Sequence, residues 1–61
     1  MILKKSDVKF IEDNSEEIWE KMTEYQDLTG KIWPPFNYER GYANMKEWYD
    51  ALLKEIEALR K

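Results

Sequence analysis

The chain has 61 residues, with ten Lys or Arg against 13 Asp or Glu, and it contains neither histidine nor cysteine. This length allows one domain, which buries only about 60% of the surface that its unfolded chain exposes, and the missing residue types exclude disulfides and the usual structural zinc sites. A formal charge of −3 and a pI near 4.9 argue against a general binder of nucleic-acid backbones.

The N-terminal MILKK predicts neither export nor membrane insertion. Two apolar residues before the lysines are too few for a signal peptide, and no apolar run reaches the length of a membrane span. The lack of cysteine is typical of a reducing compartment. We therefore expect a cytoplasmic protein without membrane contact.

A helical pattern ends at Gly30, a typical C-terminal stop, and extends back at least to Ser15. Val8 and Ile11 continue its apolar face upstream. The apolar residues of the main segment are Ile18, Met22 and Tyr25, with Trp19 at their edge.

Residues 13–15, Asp-Asn-Ser, leave two alternatives open. A break there gives a short helix at about 7–13, capped by Ser6, and a second helix at 15–28 whose cap is Asn14. A single continuous helix is the other alternative, and it would turn Phe10 toward the polar side.

The connector, residues 29–43, is stiff because Pro34 and Pro35 lack an amide hydrogen and favour extended backbone. A connection of this length without structure of its own is long for a small domain. We therefore expect its rings to pack over the last helix, with Trp33 and Phe36 buried.

The strongest element is a helix at 44–60, where Asn44 and Glu47 have the spacing of a capping box. Its apolar stripe widens to roughly 140°, which one neighbouring helix would not cover. The connector or a second copy of the chain must cover the rest. The stripe contains Met45, Tyr49, Leu52, Ile56 and Leu59, flanked by Trp48 and Leu53.

The sequence thus predicts an all-α fold in one domain, residues 1–61. It is a small helical hairpin or three-helix domain with a proline- and aromatic-rich connector. A homodimer that joins two hairpins into a four-helix bundle is the alternative to a monomer.

Catalysis has little support in this composition. Histidine, the usual general base, and cysteine, the most reactive nucleophile, are both absent. No glycine-rich phosphate motif occurs, since Gly30 and Gly41 are the two glycines. We predict no enzyme activity, no cofactor and no metal.

An acidic face follows the predicted helix on the side opposite its apolar residues. Such a face is either a solvated surface that keeps the chain soluble or a docking surface for a basic protein partner. Its members step by four, three, four and three residues: Asp13, Glu17, Glu20, Glu24 and Asp27.

The aromatic loop is the second candidate surface, because Trp, Tyr and Arg are the residues that anchor protein interfaces. Together with Lys31 and Lys46 it could also stack single-stranded nucleic acid, although the acidic balance argues against that partner. We predict a protein-interaction module, an adaptor or inhibitor, with single-strand binding as the alternative. The candidate loop residues are Trp33, Phe36, Tyr38, Arg40 and Tyr42.

Leu28 to Lys31 read LTGK and stand between a helix and an excursion that leads to the final helix. This outline resembles the small head-to-tail joining proteins of tailed phages, which have a hairpin where this chain has Pro34 and Pro35. The resemblance implies a structural assembly component, such as a phage head-tail connector, that forms rings or other higher oligomers.

Overall fold

Two α-helices packed against each other make up most of the fold, which a computed structural model describes for residues 2–61. Helix α1 comprises Lys5–Thr29 and helix α2 comprises Met45–Leu59, and a single 3₁₀ turn, Tyr38–Arg40, lies between them. Within the described residues no strand is present. The prediction of an all-helical fold is confirmed.

Helix α1 begins two residues before the predicted start. Lys4 occupies the cap position, and its carbonyl oxygen accepts from the amides of Asp7 and Val8, each at 3.0 Å. No side chain caps this end, so the expectation that Ser6 does so is wrong.

The end of α1 is fixed by Gly30, whose φ of 74° is left-handed and whose amide donates to the carbonyl of Gln26 at 2.7 Å. Glycine accepts this conformation because it has no Cβ. The Thr29 hydroxyl donates to the carbonyl of Tyr25 at 2.9 Å and accepts from the amide of Lys31 at 3.0 Å. The bonds of Gly30 and Thr29 therefore fix the backbone direction in which the connector leaves α1.

A kink at Asn14 divides α1 without ending it. The backbone there is non-helical, with φ −126° and ψ 17°, and the side-chain nitrogen donates to the carbonyl of Phe10 at 3.0 Å. The expectation that Asn14 caps a second helix is wrong, because its side chain bonds the preceding turn. Phe10, which lies before the kink, packs against the core and is edge-on to Tyr49 at 5.9 Å.

Helix α2 is capped by Asn44, as its sequence indicates. The side-chain oxygen of Asn44 accepts from the amide of Glu47 at 2.9 Å. In return, the Glu47 carboxylate accepts from the amide of Ala43 at 2.7 Å, one residue earlier than in a standard capping box. Both bonds hold backbone donors that the helix itself leaves unsatisfied.

The core lies between the two helices and the connector. Leu52 of α2 is fully buried, and Phe36 of the connector packs edge-on against Trp48 with ring centroids 6.4 Å apart. Leu59, at the end of the predicted stripe, is 40% exposed. The buried apolar residues are Ile18, Phe36, Met45, Trp48, Tyr49, Leu52 and Ile56.

Neither α1 nor α2 has the length and apolar character needed to cross a membrane, as judged over residues 2–61.

Candidate protein-binding surface

A buried carboxylate, Asp7, joins the two helices to the connector. Asp7 is only 3% exposed and accepts from the Tyr38 hydroxyl and, at 2.9 Å, from the amide of Met45. The Tyr38 oxygen in turn accepts from the amide of Lys4 at 2.9 Å. The start of α1, the 3₁₀ turn and the first residue of α2 are therefore held at one point.

The pKa values of Asp7 and Tyr38 are shifted in opposite directions. Donation by Tyr38, and then by the Met45 amide, lowers the pKa of Asp7. Loss of solvent, and then the Asp7 carboxylate, raises the pKa of Tyr38. Because each partner in this cluster already has its bonds within the chain, the cluster holds the fold together and offers no opening to a ligand.

Sequence reasoning missed Asp7, although a signal for it exists. Asp7 lies four residues before Ile11 and eleven before Ile18, so it falls on the apolar stripe of α1. A charged residue in an apolar register is buried only when hydrogen bonds satisfy it. The partner, Tyr38, is 31 residues away and was not identifiable from spacing.

The predicted aromatic loop does not form one exposed surface. Phe36 is buried, and Tyr38 packs edge-on against it at 4.7 Å while bonding Asp7. Trp33 is half-buried, with its ring edge-on to that of Tyr25 at 5.1 Å.

Tyr42 and Arg40 face a small hollow between the connector and α2. Tyr42 is half-buried and Arg40 is exposed. The hollow has a volume of about 310 Å³, and Trp48 on its wall donates from its indole nitrogen to the carbonyl of Pro34 at 2.9 Å. The indole nitrogen of Trp33 is buried, and no acceptor lies in hydrogen-bonding geometry with it.

Two members of the acidic face are occupied by ion pairs. The half-buried Glu24 carboxylate lies 2.5 Å from the guanidinium of Arg60 and 3.8 Å from the ammonium of Lys21. Asp13 lies 3.7 Å from Lys9 at an exposed position. The charge of this part of the face is therefore partly balanced within the chain.

The remaining members differ in their surroundings. Glu17 acts on the buried hydroxyl of Tyr49. Burial, and then the Glu17 carboxylate, raises the pKa of that hydroxyl, although no acceptor lies in hydrogen-bonding geometry with it. Glu20 and Asp27 are exposed. Among the described residues they have no ion pair within the salt-bridge distance, so their charge faces solvent.

Trp19 is more exposed than its predicted position at the edge of the apolar face indicated. It is 73% exposed, whereas every other Trp, Tyr and Phe of the chain is half-buried or buried. Its position between the apolar and acidic sides of α1 gave a weak signal. Periodicity alone cannot tell which edge of a helix a neighbour will cover.

An apolar groove of about 310 Å³ runs beside Trp19. On α1 its wall is formed by Ile11, Ile18 and Met22, with Ser15 and Trp19 at the outer edge. The opposite wall comes from the connector and α2, through Pro35, Phe36, Met45 and Trp48. No charged side chain lines it.

Acidic residues border the outer edge of this groove. Ser15 and Trp19 also line a neighbouring shallow hollow whose other residues are Glu16 and Glu20. A second hollow beside Trp19 includes Glu20 and Asp27. Trp19 thus stands between an apolar groove and an acidic surface.

Within residues 2–61, the acidic side chains are not grouped as metal ligands. No group of three or more Asp or Glu side chains is placed to hold a metal ion there. The surface can bind by apolar contact and by charge.

No protein-family model, no curated protein and no solved structure matches the chain significantly.

Proposed function

We propose that this protein is a non-enzymatic protein-interaction module, an adaptor or inhibitor, that binds its partner through the surface of α1 around Trp19. The observation that carries the proposal is the 73% exposure of Trp19 beside an apolar groove. In the same chain Trp48 is 3% exposed and Phe36 is 8% exposed.

A tryptophan in this position suits protein binding for energetic reasons. A large ring buries about 150–250 Å² when a partner covers it, and Trp is among the residues that most often dominate binding energy. A groove next to the ring lets a partner fill apolar space on one side while it covers the indole.

The acidic residues around Trp19 favour a basic partner. Glu16 and Glu20 border the same hollow as the indole, and Asp27 lies further along the helix. Charges at the rim of an interface steer association and exclude partners of the same sign. Of the predicted acidic face, Glu20 and Asp27 lie beside Trp19, whereas Glu24 is engaged with Arg60.

The aromatic loop is the weaker candidate surface. Phe36 and Tyr38 are engaged in packing and in the Asp7 bond, so they are not available to stack on bases or to anchor a partner. Single-strand binding would depend on Trp33 and Tyr42 for stacking and on Lys31, Arg40 and Lys46 for charge, in a chain of net charge −3.

Affinity purification with a matched pair of variants tests the proposal. Trp19→Ala removes the indole, and Ile32→Ala removes another side chain that is also 73% exposed but lies in the connector. We expect quantitative mass spectrometry to find proteins that wild type and Ile32→Ala retain and that Trp19→Ala loses. Circular dichroism should show equal helicity for all three, because both changes are at exposed positions.

A second pair of variants tests the role of the acidic residues beside Trp19. Glu16→Lys with Glu20→Lys should abolish the same interactions, whereas Glu55→Lys with Glu57→Lys, two exposed sites on α2, should preserve them. Recovery of an identical set of proteins by wild type and Trp19→Ala would refute the proposal.

A further inference from the structure

We infer that the groove beside Trp19 accepts an amphipathic helix of the partner protein, with an apolar face in the groove and basic residues against the acidic rim. This inference rests on the proposed function and specifies the class of partner. It follows from the dimensions of the groove, the groups that line it and the charges around it.

The groove has the length of a short helix. Its α1 wall extends from Ile11 past the kink at Asn14 to Met22, and eleven residues of regular helix would rise about 16 Å, or about three turns. Three turns place side chains at i, i+4 and i+7 on one face, and these are the positions through which helices bind grooves. A volume of about 310 Å³ is at the lower end for small-molecule pockets, and it suits a few apolar side chains.

The backbone geometry favours a helix over an extended peptide. An extended segment gains most of its affinity by adding a strand to a sheet edge, and residues 2–61 contain no strand to extend. The groove presents side chains of α1, the connector and α2. A helix satisfies its own backbone hydrogen bonds and so can lie against apolar side chains without leaving peptide groups unsatisfied.

The charges select a basic helix. Glu16 and Glu20 stand immediately outside Ser15 and Trp19, and no Lys or Arg lines the groove. A second copy of this chain would bring the same acidic rim, and a formal charge of −3, toward the first. Like charges across an interface weaken association, so the rim favours a basic partner over self-association.

Designed peptides of about four turns can serve as probes. The first carries leucines at i, i+4, i+7 and i+11 with lysines elsewhere. The second has the same composition with the leucines scattered around the helix, and the third keeps the leucine pattern but replaces lysine by glutamate. Binding is followed by the ¹⁵N–¹H resonances of the three indole groups, Trp19, Trp33 and Trp48.

We expect the patterned leucine–lysine peptide to shift the Trp19 indole resonance and to leave that of Trp33 in place. Trp19→Ala should weaken its affinity by about tenfold or more, as for other aromatic anchors of an interface, while Ile32→Ala should not. Added salt should weaken it further. The scattered and glutamate peptides should bind at least tenfold more weakly.

Several results would overturn the inference. Equal binding of the scattered peptide would mean attraction by charge alone, and a shift centred on Trp33 would place the site at the connector. A dimeric mass in light scattering, abolished by Trp19→Ala, would make a second copy the occupant.

Two results distinguish a failure of the helical-partner inference from a failure of the proposed function. If no peptide binds at millimolar concentration but affinity purification still finds proteins lost in Trp19→Ala, the interaction role stands and the helical class of partner is rejected. If the purification also shows no dependence on Trp19, both are rejected.

Discussion

At the scale of single residues, one carboxylate, that of Asp7, determines how the ends of the helices meet. Asp7 bonds Tyr38 in the connector and the amide of Met45 at the first turn of α2. A negative charge at a helix N-terminus is also favoured by the helix dipole. The burial of this carboxylate is therefore compensated by its hydrogen bonds and by its position.

Asp7→Asn should lower the melting temperature at neutral pH by roughly 5 °C or more, because a neutral amide accepts more weakly from the buried amide of Met45. The pKa of Asp7 is lowered in the folded protein, so its stabilising effect is present above the ordinary value of 3.8 and is lost as the pH falls below it. Wild type and Asp7→Asn should thus converge in acid. Thermal unfolding followed by circular dichroism across the pH range measures this.

Asp13→Asn is the matched control for Asp7→Asn. Asp13 is an exposed carboxylate on the same helix, paired with Lys9 at 3.7 Å. Surface pairs of this kind contribute about 0–1 kcal/mol, so the control should unfold close to wild type at neutral pH. A difference between wild type and Asp7→Asn that stays constant into acid would show that the carboxylate charge has no part in the effect.

At the scale of elements, the kink in α1 is the feature that sequence patterns described least well. The sequence offered either a break or a continuous helix, and the structure has one helix, Lys5–Thr29, with a single non-helical residue, Asn14. The side chain of Asn14 donates to the carbonyl of Phe10, which makes the departure tolerable. Local propensity indicated where the helix is weak, and the side chains of Phe10 before the kink and Ile18 after it both pack in the core.

Asn14→Asp tests the role of this side chain, since aspartate has nearly the same shape but its carboxylate cannot donate to the Phe10 carbonyl. We expect a loss of about 1 kcal/mol in the free energy of unfolding from the missing bond, measured by urea denaturation. Asp13→Ala, one residue earlier and exposed, should change it by less than about 0.5 kcal/mol. Equal effects of the two changes would mean that the bond to Phe10 does not support the kink.

At the scale of the whole molecule, a two-helix protein cannot cover both helices on all sides. Helix α1 has 25 residues and α2 has 15, and the connector supplies the third side of the core through Phe36. Part of α1 is then left without a neighbour, and Trp19 lies there. The exposure of this ring is thus a consequence of the small number of elements, and it is the surface through which we propose that the protein binds.

Hydrogen exchange of the three indole N–H groups measures how far each tryptophan is exposed to solvent. The Trp19 indole should exchange fastest because its side chain is exposed, and that of Trp48 slowest because it is buried and donates to Pro34. Trp33 should fall between them, since its nitrogen is buried but has no acceptor. Exchange is read from the decay of indole NMR signals in D₂O, with Trp19→Phe used for assignment.

Slow exchange at Trp19, comparable to that at Trp48, would contradict the exposed position. In that case the ring would be covered in solution, and a light-scattering mass would show whether a second copy covers it.

The sequence by itself determined the helical class, the stop at Gly30 and the cap at Asn44, because each depends on side-chain periodicity or on bonds between residues close in the chain. Tertiary structure alone decided that Asp7 is buried and that Trp19 is exposed, although both lie on α1. The reason is physical: the partners of Asp7 are 31 and 38 residues away, and the side of a helix that stays uncovered depends on where the rest of the chain packs.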